Sequence, residues 1–224
     1  MPESPTPLLG RDILAKAGAI IHLNIGEGTP VCCPLLEEGI NPEVWATEGQ
    51  YGRAKNAHPV QVKLKDSASF PYQRQYPLRP EAQQGLQKIV KDLKAQGLVK
   101  PCNSPCNTPI LGVQKPNGQW RLVQDLRIIN EAVVPLYPAV PNPYTLLSQI
   151  PEEAEWFTVL DLKDAFFCTP IHADSQFLFA FEDPSNPTSQ LTWTVLPQGF
   201  TDSPHLFGQA LAQDLSQLSY LDTL

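Results

Sequence analysis

An acidic side chain follows an apolar, strand-like run in the second half of this 224-residue chain. The run Thr158-Val159-Leu160 leads directly into Asp161, and two aromatic residues, Phe166 and Phe167, follow shortly after it. A carboxylate next to apolar residues is costly to bury unless it is paired or binds a metal. Carboxylate oxygens suit Mg²⁺, and the backbone carbonyl of Leu162 could add another oxygen. The pattern therefore predicts either a metal-binding carboxylate or an aspartate that caps a turn.

The middle of the chain carries most of the positive charge. The whole chain has a net charge of −7, which at first argues against a nucleic-acid partner. However, residues 53–131 contain 13 basic and 5 acidic side chains, whereas residues 132–224 contain 1 basic and 11 acidic side chains. A basic region beside an acidic one suits a phosphate-contacting surface next to a cation-binding carboxylate cluster. Solvated surface of mixed sign would give the same pattern, so charge alone leaves both interpretations open.

A hairpin and a helix are the clearest elements of this basic region. Asn117-Gly118 lies between the apolar runs 110–113 and 120–123, which predicts a β-hairpin. Residues 80–96 are predicted to form a helix because a proline suits its first position and a glycine follows its end. Its apolar residues, Leu86, Ile89, Val90 and Leu93, share one face.

Further strands and a last helix must position the acidic and aromatic residues. Alternation or continuous apolar character predicts strands at 60–64, 157–163, 177–182 and 191–196, with a polar loop at 183–190. A last helix is expected to begin at Ser203-Pro204, with the serine as its cap and the proline at its first position. The apolar face of that helix is Leu206, Phe207, Ala210, Leu211, Leu215 and Leu218.

The first sixty residues show little periodicity. Residues 8–14 could form a short helix and residues 19–23 a strand, and residues 26–52 have the mixed composition of a linker. No apolar stretch is long enough to cross a membrane, and no secretory signal begins the chain. A cytoplasmic protein with no membrane partner is therefore expected.

The cysteines do not form a clear metal-binding pattern. The count of five is odd, which together with the missing secretory signal favours reduced thiols. Cys102 and Cys106 approach the spacing of zinc ligands, but no second Cys/His pair follows them. A loop is the favoured interpretation of this pair.

The block from Gln73 to Leu215 resembles the fingers and palm of retroviral reverse transcriptases, and most closely their gammaretrovirus-like branch. This block covers more than half of the chain. The matching words, in order, are Gln75-Tyr76-Pro77-Leu78, Ser104-Pro105-Cys106-Asn107-Thr108-Pro109, Val123-Gln124-Asp125-Leu126-Arg127, Val140-Pro141-Asn142-Pro143-Tyr144, the Asp161 run, Leu191-Thr192-Trp193 and the Gln198-Gly199 run. So many words in one order are an implausible chance match.

The resemblance implies roles for individual residues. Asp161 would be the first catalytic carboxylate and a metal ligand, with the Leu162 backbone carbonyl as a second ligand. The nucleotide-binding residues would be Lys115, Arg121, Phe166 and Gln198, with Phe166 as the steric gate that excludes a 2′-hydroxyl. Asp125, Arg127 and Gly199 would have template-side or structural roles, and the first two would form an internal salt bridge. Ordinary packing remains the alternative for Phe166, and a simple strand-to-helix turn remains the alternative for Gln198-Gly199.

The resemblance also implies the fold and the partners. The fold would be α+β, a right-hand polymerase with fingers, palm and an incomplete palm sheet over 60–224. The cofactor would be Mg²⁺, or Mn²⁺, and the partners would be an RNA or DNA template–primer, a dNTP and a longer polymerase chain. Ribonuclease H would belong only to the family polyprotein.

Two features suggest a polyprotein fragment of endogenous retroviral origin. Residues 8–14 resemble the closing helix of a retroviral aspartic protease, so residues 1–25 would be a protease remnant and 26–59 a linker. The Tyr-x-Asp-Asp hairpin that carries the other two catalytic carboxylates of the family is missing, and Tyr220 and Asp222 match it only superficially. The leading expectation is an RNA-directed DNA polymerase fragment, with no activity of its own. The alternatives are a non-enzymatic fragment that binds nucleic acid or a polymerase chain, and a remnant without function.

Overall fold

The computed structural model describes residues 20–21, 32–33, 50–54, 57–136 and 161–216. The chain divides into two compact units. The first comprises Met1–Ala46, Pro141–Lys163 and Leu224, and the second comprises Thr47–Val140 and Asp164–Thr223.

Two short strands are the described elements of the first unit. Strand β1 (Ile20–Ile21) pairs antiparallel with β2 (Cys32–Cys33). β1 lies inside the strand predicted at 19–23, whereas β2 lies inside the stretch predicted as a linker. The predicted helix at 8–14 lies outside the described residues.

Helix α1 (Pro80–Ala95) confirms the clearest prediction from the sequence. Proline occupies its first turn, and the chain leaves it through Gly97, whose φ of +69° favours glycine. The side chains of Ala82, Leu86, Val90 and Leu93 are buried on one face of this helix. That apolar face anchors the helix to the main core of the second unit.

The predicted hairpin is also present. Strands β4 (Ile110–Gln114) and β5 (Trp120–Gln124) pair antiparallel and pack on α1. Gly118 in the turn has a φ of +81°, and the backbone N–H of Lys115 donates to the carbonyl of Gln119 at 2.7 Å. Residues 115–119 separate the two strands, so the connection is longer than a two-residue Asn-Gly turn.

The contact between the hairpin and α1 depends on a missing side chain. A Cβ atom added to Gly85 would lie 2.3 Å from Cδ1 of Trp120. We expect Gly85→Ala to lower the free energy of unfolding by about 1–3 kcal/mol, because the indole ring must move out of a packed site.

Gly208→Ala is the matched control, since a Cβ there meets no atom within 4 Å. It should raise the free energy of unfolding by up to about 1 kcal/mol, as expected for a helical glycine. Equal effects of the two substitutions in urea unfolding would contradict this account.

The second unit also contains a three-stranded antiparallel sheet. Its order is β3 (Val99–Cys102), β7 (Asn186–Trp193) and β6 (Phe181–Asp183). β3 was not predicted, because its sequence, Val-Lys-Pro-Cys, has neither clear alternation nor a β-branched run.

The predicted strands at 177–182 and 191–196 were wrong in their bounds. Phe177–Phe179 is a 3₁₀ turn that directly follows helix α3 (Ala173–Gln176), and β7 takes up most of the predicted loop. The cause is a tight turn after β6. Asp183 accepts the Ser185 N–H at 2.8 Å and pairs with Lys94 at 2.5 Å, which fixes the chain reversal early.

Residues 60–64 alternate in burial as predicted but do not form a continuous strand. Only Val60 and Leu64 make isolated bridges, to Ile171 and Val133. Between them, the Ser175 hydroxyl accepts the Val62 N–H at 2.9 Å and donates to the Val62 carbonyl at 3.1 Å. A side chain thus replaces the partner strand at this point.

The last helix, α4 (Ser203–Leu215), begins at Ser203, one residue earlier than the predicted first position, Pro204. Asp202 is the cap residue, and the Ser203 hydroxyl instead donates to the Pro197 carbonyl at 3.0 Å. Ala210 is buried on the predicted apolar face, whereas Leu215 is 39% exposed. Leu218 lies outside the described residues. Nowhere in the described ranges is a helix both long and apolar enough to cross a membrane.

Candidate functional site

Two residues predicted to bind nucleotide touch each other. Arg121 lies on β5, exposed, opposite Val113 of the hairpin. Its Nη2 donates a hydrogen bond to Oε1 of Gln198, which is 77 positions away in the sequence. The contact joins the hairpin to the loop that precedes α4.

The loop around Gly199 is held by an asparagine that sequence reasoning missed. Gly199 has a φ of +93°, which favours glycine. Its carbonyl accepts a hydrogen bond from Nδ2 of Asn130 at 3.0 Å, and Oδ1 of Asn130 accepts the Thr201 N–H at 3.0 Å. Asn130 lies on helix α2 (Arg127–Ala132). A lone asparagine in a short helix gives no signal in the sequence, so only the fold identifies it.

An ion pair stands where β5 ends and α2 begins. The salt bridge expected between Asp125 and Arg127 is present: Nε donates to Oδ1 at 2.8 Å and Nη2 donates to Oδ2 at 2.6 Å. The guanidinium side chain is 79% exposed and the carboxylate side chain only 9%. Hydrogen bonding to Arg127 lowers the pKa of Asp125 below its usual value.

The lowered pKa of Asp125 predicts acid sensitivity. A depressed folded-state pKa contributes stability above the unfolded value of about 3.9, and this contribution is lost as the pH falls through the folded value. We therefore expect the free energy of unfolding of Asp125→Asn to fall less steeply below about pH 4 than that of the unsubstituted chain. Urea unfolding of both proteins over a pH series measures this. If the free energy of unfolding falls equally with decreasing pH in both proteins, the ion pair does not stabilise the fold.

A buried glutamine at the end of β5 holds the backbone next to the ion pair in place. Gln124 is 5% exposed, and its Oε1 accepts the indole N–H of Trp193 at 2.7 Å. Its Nε2 donates to the Thr108 hydroxyl at 2.7 Å and to the Phe179 carbonyl at 3.2 Å. The amide therefore ties β5 to β7 and fixes the backbone directly before Asp125. Sequence reasoning treated it only as part of a matching word.

Phe166 contacts an aromatic side chain of α4. It belongs to the 3₁₀ turn Ala165–Cys168, which follows Asp164 in the left-handed region at a φ of 50°. Phe166 is half-buried and meets Phe207 of α4 edge to face, with ring centroids 6.1 Å apart. Phe167 is buried as expected and stacks on Trp193 at 5.1 Å.

Three predicted residues stand outside these contacts. Lys115 is exposed in the hairpin turn. Asp161 and Leu162 are exposed and belong to the first unit. The strand predicted at 157–163 is wrong for residues 161–163, which form neither helix nor strand, and residues 157–160 lie outside the described part. An exposed carboxylate keeps its water, so the burial cost that motivated the prediction does not arise.

The described residues do not complete a metal site. Among them, no group of three His, Cys, Asp or Glu side chains could hold a metal ion. Asp161 and one carbonyl are too few oxygens for Mg²⁺, which prefers octahedral coordination. Burial raises the pKa of the Cys106 thiol to about 11 and also raises that of Cys102, so neither offers a thiolate at neutral pH.

Comparison with known proteins places the chain in a family. A family model described as reverse transcriptase (RNA-dependent DNA polymerase) matches residues 113–220. The Gag-Pol polyprotein of feline leukemia virus is 46% identical over 249 residues, which cover 96% of this chain and 14% of the viral protein. That of gibbon ape leukemia virus is 44% identical over 99% of this chain and 15% of its own length. The chain belongs to the retroviral reverse transcriptase family.

Solved reverse transcriptase structures support the same fold. A protease–reverse transcriptase of prototype foamy virus has a TM-score of 0.63 at 34% identity, covering 78% of this chain and 23% of that one. A foamy viral protease–reverse transcriptase in complex with ds DNA has a TM-score of 0.57 at 30% identity, covering 77% and 29%. The expected α+β polymerase fold is therefore confirmed. The chain spans about one seventh of the feline and gibbon polyproteins that it matches.

Proposed function

We propose that this reverse transcriptase chain supplies the nucleotide- and template-binding surface of an RNA-directed DNA polymerase. The observation that carries the proposal is the hydrogen bond between Arg121 and Gln198. The two residues lie far apart in the sequence, and the family resemblance implies that both face the nucleotide.

On the nucleotide side, Arg121 is the principal phosphate ligand. A guanidinium has five N–H donors, so one bond to Gln198 leaves a fork free for phosphate oxygens. Gln198 positions that fork, and the exposed Lys115 in the hairpin turn adds a point charge. Phe166, supported edge-on by Phe207, would pack against the sugar and exclude a 2′-hydroxyl.

On the template side, the exposed guanidinium of Arg127 and the backbone at Gly199 face the nucleic acid. Asp125 orients Arg127, and Asn130 fixes the carbonyl of Gly199. Because glycine has no side chain, nucleic acid can approach the backbone closely there. The foamy viral protease–reverse transcriptase in complex with ds DNA supports a nucleic-acid partner for this chain.

The proposed polymerase chemistry would need a divalent metal. Asp161 and the Leu162 carbonyl would contribute oxygens to Mg²⁺ or Mn²⁺ in a two-metal nucleotidyl transfer, in which the ions would activate the primer oxygen and hold the triphosphate. The described oxygen donors are fewer than such ions require. We therefore propose that the 224-residue chain does not extend a primer by itself.

The alignment also supports a polyprotein origin. The viral Gag-Pol proteins match nearly the whole chain, and the structural relatives join a protease to a reverse transcriptase. These relationships support residues 1–25 as a protease remnant and 26–59 as the linker to the polymerase region. An endogenous retroviral source fits the same arrangement.

Equilibrium binding to an RNA–DNA template–primer tests the proposed function. We expect the affinity to fall steeply with salt, because cations of residues 53–131 displace counterions from phosphates. Primer extension with Mg²⁺ and dNTPs is expected to give no product. Salt-dependent binding without extension fits both the polymerase fragment and the non-enzymatic binding fragment. Arg121→Ala and Gln198→Ala separate the two. In a polymerase fragment, each substitution should weaken the stabilisation that dNTP gives to the complex with template–primer. Absence of salt-dependent binding would contradict both.

A further inference from the structure

The 3₁₀ turn that carries Phe166 is held by a segment from much earlier in the chain. This segment is residues 50–54, which we call the N-terminal strap, and it belongs to the second unit together with the turn. The sequence predicts a linker over residues 26–59, so a contact between the strap and the turn was not expected. The contact involves both backbone and side chains of the strap.

The backbone of the strap binds the end of the turn. The Ala54 N–H donates to the Cys168 carbonyl at 3.0 Å. Gly52 lies against the same residue, because a Cβ atom added to it would be 3.4 Å from Sγ of Cys168. Further along, Val60 forms a parallel bridge with Ile171, in the chain that leaves the turn. The strap and the residues after it therefore act as a partner for the turn where no regular strand is present.

Tyr51 adds an aromatic contact to the turn. Its ring meets Phe167 edge to face, with ring centroids 5.4 Å apart and ring planes at 63°. Phe167 also stacks on Trp193 of β7, with centroids 5.1 Å apart. Aromatic pairs of these kinds stabilise a structure beyond the area that they bury. Removing the Tyr51 ring would therefore leave Phe167 held by β7 and not by the strap.

The turn begins with a backbone conformation that needs support from its surroundings. Asp164 has a φ of 50°, and within the described ranges it is the one non-glycine residue with a positive φ. Such a residue persists only where the surrounding structure fixes it. Burial and the nearby carboxylate of Asp164 raise the pKa of Tyr51, which shows that the strap also reaches the start of the turn.

The position of Phe166 depends on how this turn is held. Phe166 directly precedes Phe167, and its carbonyl accepts the Thr169 N–H at 3.1 Å. A displacement of about 1 Å is enough to disturb the placing of a group that acts on a bound substrate. We propose that Tyr51 is a positioning residue for Phe166 and thereby sets how strongly the chain prefers a deoxyribonucleotide over a ribonucleotide. The proposal rests on the proposed function, because Phe166 must face the sugar.

Nucleotide preference on the full chain tests the proposal. Fluorescence anisotropy gives the dissociation constant of a labelled template–primer without nucleotide, with the complementary dNTP and with the matching rNTP. We expect the dNTP to tighten binding more than the rNTP, and Phe166→Ala to abolish that difference. Tyr51→Ala should reduce the preference about threefold, because losing an aromatic pair shifts a local equilibrium about two- to tenfold. Tyr51→Phe keeps the ring and should keep the preference.

Phe70→Ala is the matched control for loss of an aromatic contact. Phe70 also meets one ring edge to face, that of Phe177 at 6.0 Å, and neither residue belongs to the turn. Its removal should leave the ratio of the dNTP and rNTP effects unchanged. A residue that only stabilises the fold would behave like this control.

Amide hydrogen exchange gives a second measurement, which needs no nucleotide. The N–H groups of Phe167 and Thr169 make the hydrogen bonds that close the turn, to the carbonyls of Asp164 and Phe166. Tyr51→Ala should raise the exchange rates of these two amides, because the turn opens locally more often. The amides of the β4–β5 hairpin should keep their rates, because the strap does not hold them.

The outcomes separate the positioning role from the proposed function. If Tyr51→Ala keeps both the preference and the exchange rates while Phe166→Ala loses the preference, the positioning proposal is wrong and the proposed function stands. If Phe166→Ala keeps the preference, or if neither nucleotide tightens binding to the unsubstituted chain, the sugar-facing role of Phe166 is wrong and the positioning proposal is wrong with it. Should Tyr51→Ala lose the native circular dichroism spectrum, Tyr51→Leu replaces it, with the same expected loss of preference.

Discussion

Gln124→Leu is expected to lower the free energy of unfolding by about 3 kcal/mol or more. The substitution keeps the approximate size of the side chain but removes both ends of its amide. The indole N–H of Trp193, the Thr108 hydroxyl and the Phe179 carbonyl then lose a buried partner. Each such loss costs about 1–3 kcal/mol, and a leucine returns part of the sum through apolar burial.

Urea unfolding measures this change, and Gln84→Leu is its matched control. Gln84 is exposed on α1, so the same substitution there should shift the free energy of unfolding by no more than about 0.5 kcal/mol. A loss below about 1 kcal/mol for Gln124→Leu would show that the amide network contributes little net stability.

Arg127→Ala is expected to weaken template–primer binding about tenfold or more. Removing the guanidinium deletes one charge-assisted phosphate contact, which is worth about 1.5–3 kcal/mol. It also leaves the Asp125 carboxylate without its ion-pair partner. An uncompensated negative charge beside the template backbone adds repulsion to the lost contact.

A double substitution separates these two effects. Asp125→Asn combined with Arg127→Ala removes the repulsion, so it should recover part of the affinity lost by Arg127→Ala alone. Lys88→Ala changes the net charge equally on an exposed helix face and should have a much smaller effect. Unchanged affinity for Arg127→Ala, measured by anisotropy at fixed salt, would exclude this residue from the template surface.

Local signals determined which elements the sequence could predict. The α1 helix and the β4–β5 hairpin carry their own boundaries, a proline and glycine in one case and an Asn-Gly turn in the other. The β3 strand and the true bounds of β6 and β7 depend on tertiary partners. The pair Asp183–Lys94 sets the turn between β6 and β7, and the two residues are 89 positions apart.

The residues proposed to contact nucleotide and template could be predicted from the sequence, whereas the residues that hold them in place could not. Gln198, Asp125 and Arg127 stand in matching words and Arg121 lies just before one, but no property of the sequence states that Arg121 and Gln198 touch. Asn130 and Gln124 are single amides whose role appears only when Gly199 and Trp193 are brought to them. For Asp161, the carboxylate is exposed and the predicted strand is wrong at 161–163, so its role as a metal ligand stays a prediction.

The most direct measurement is photocrosslinking from the templating base. A template–primer with a photoreactive base at the first uncopied position is bound to the chain and irradiated, and the crosslinked peptides are sequenced. We expect crosslinks at the end of β5, in α2 and around Gly199, where Arg127 and Asn130 lie. Crosslinks confined to the exposed lysines of α1, Lys88 and Lys91, would contradict it.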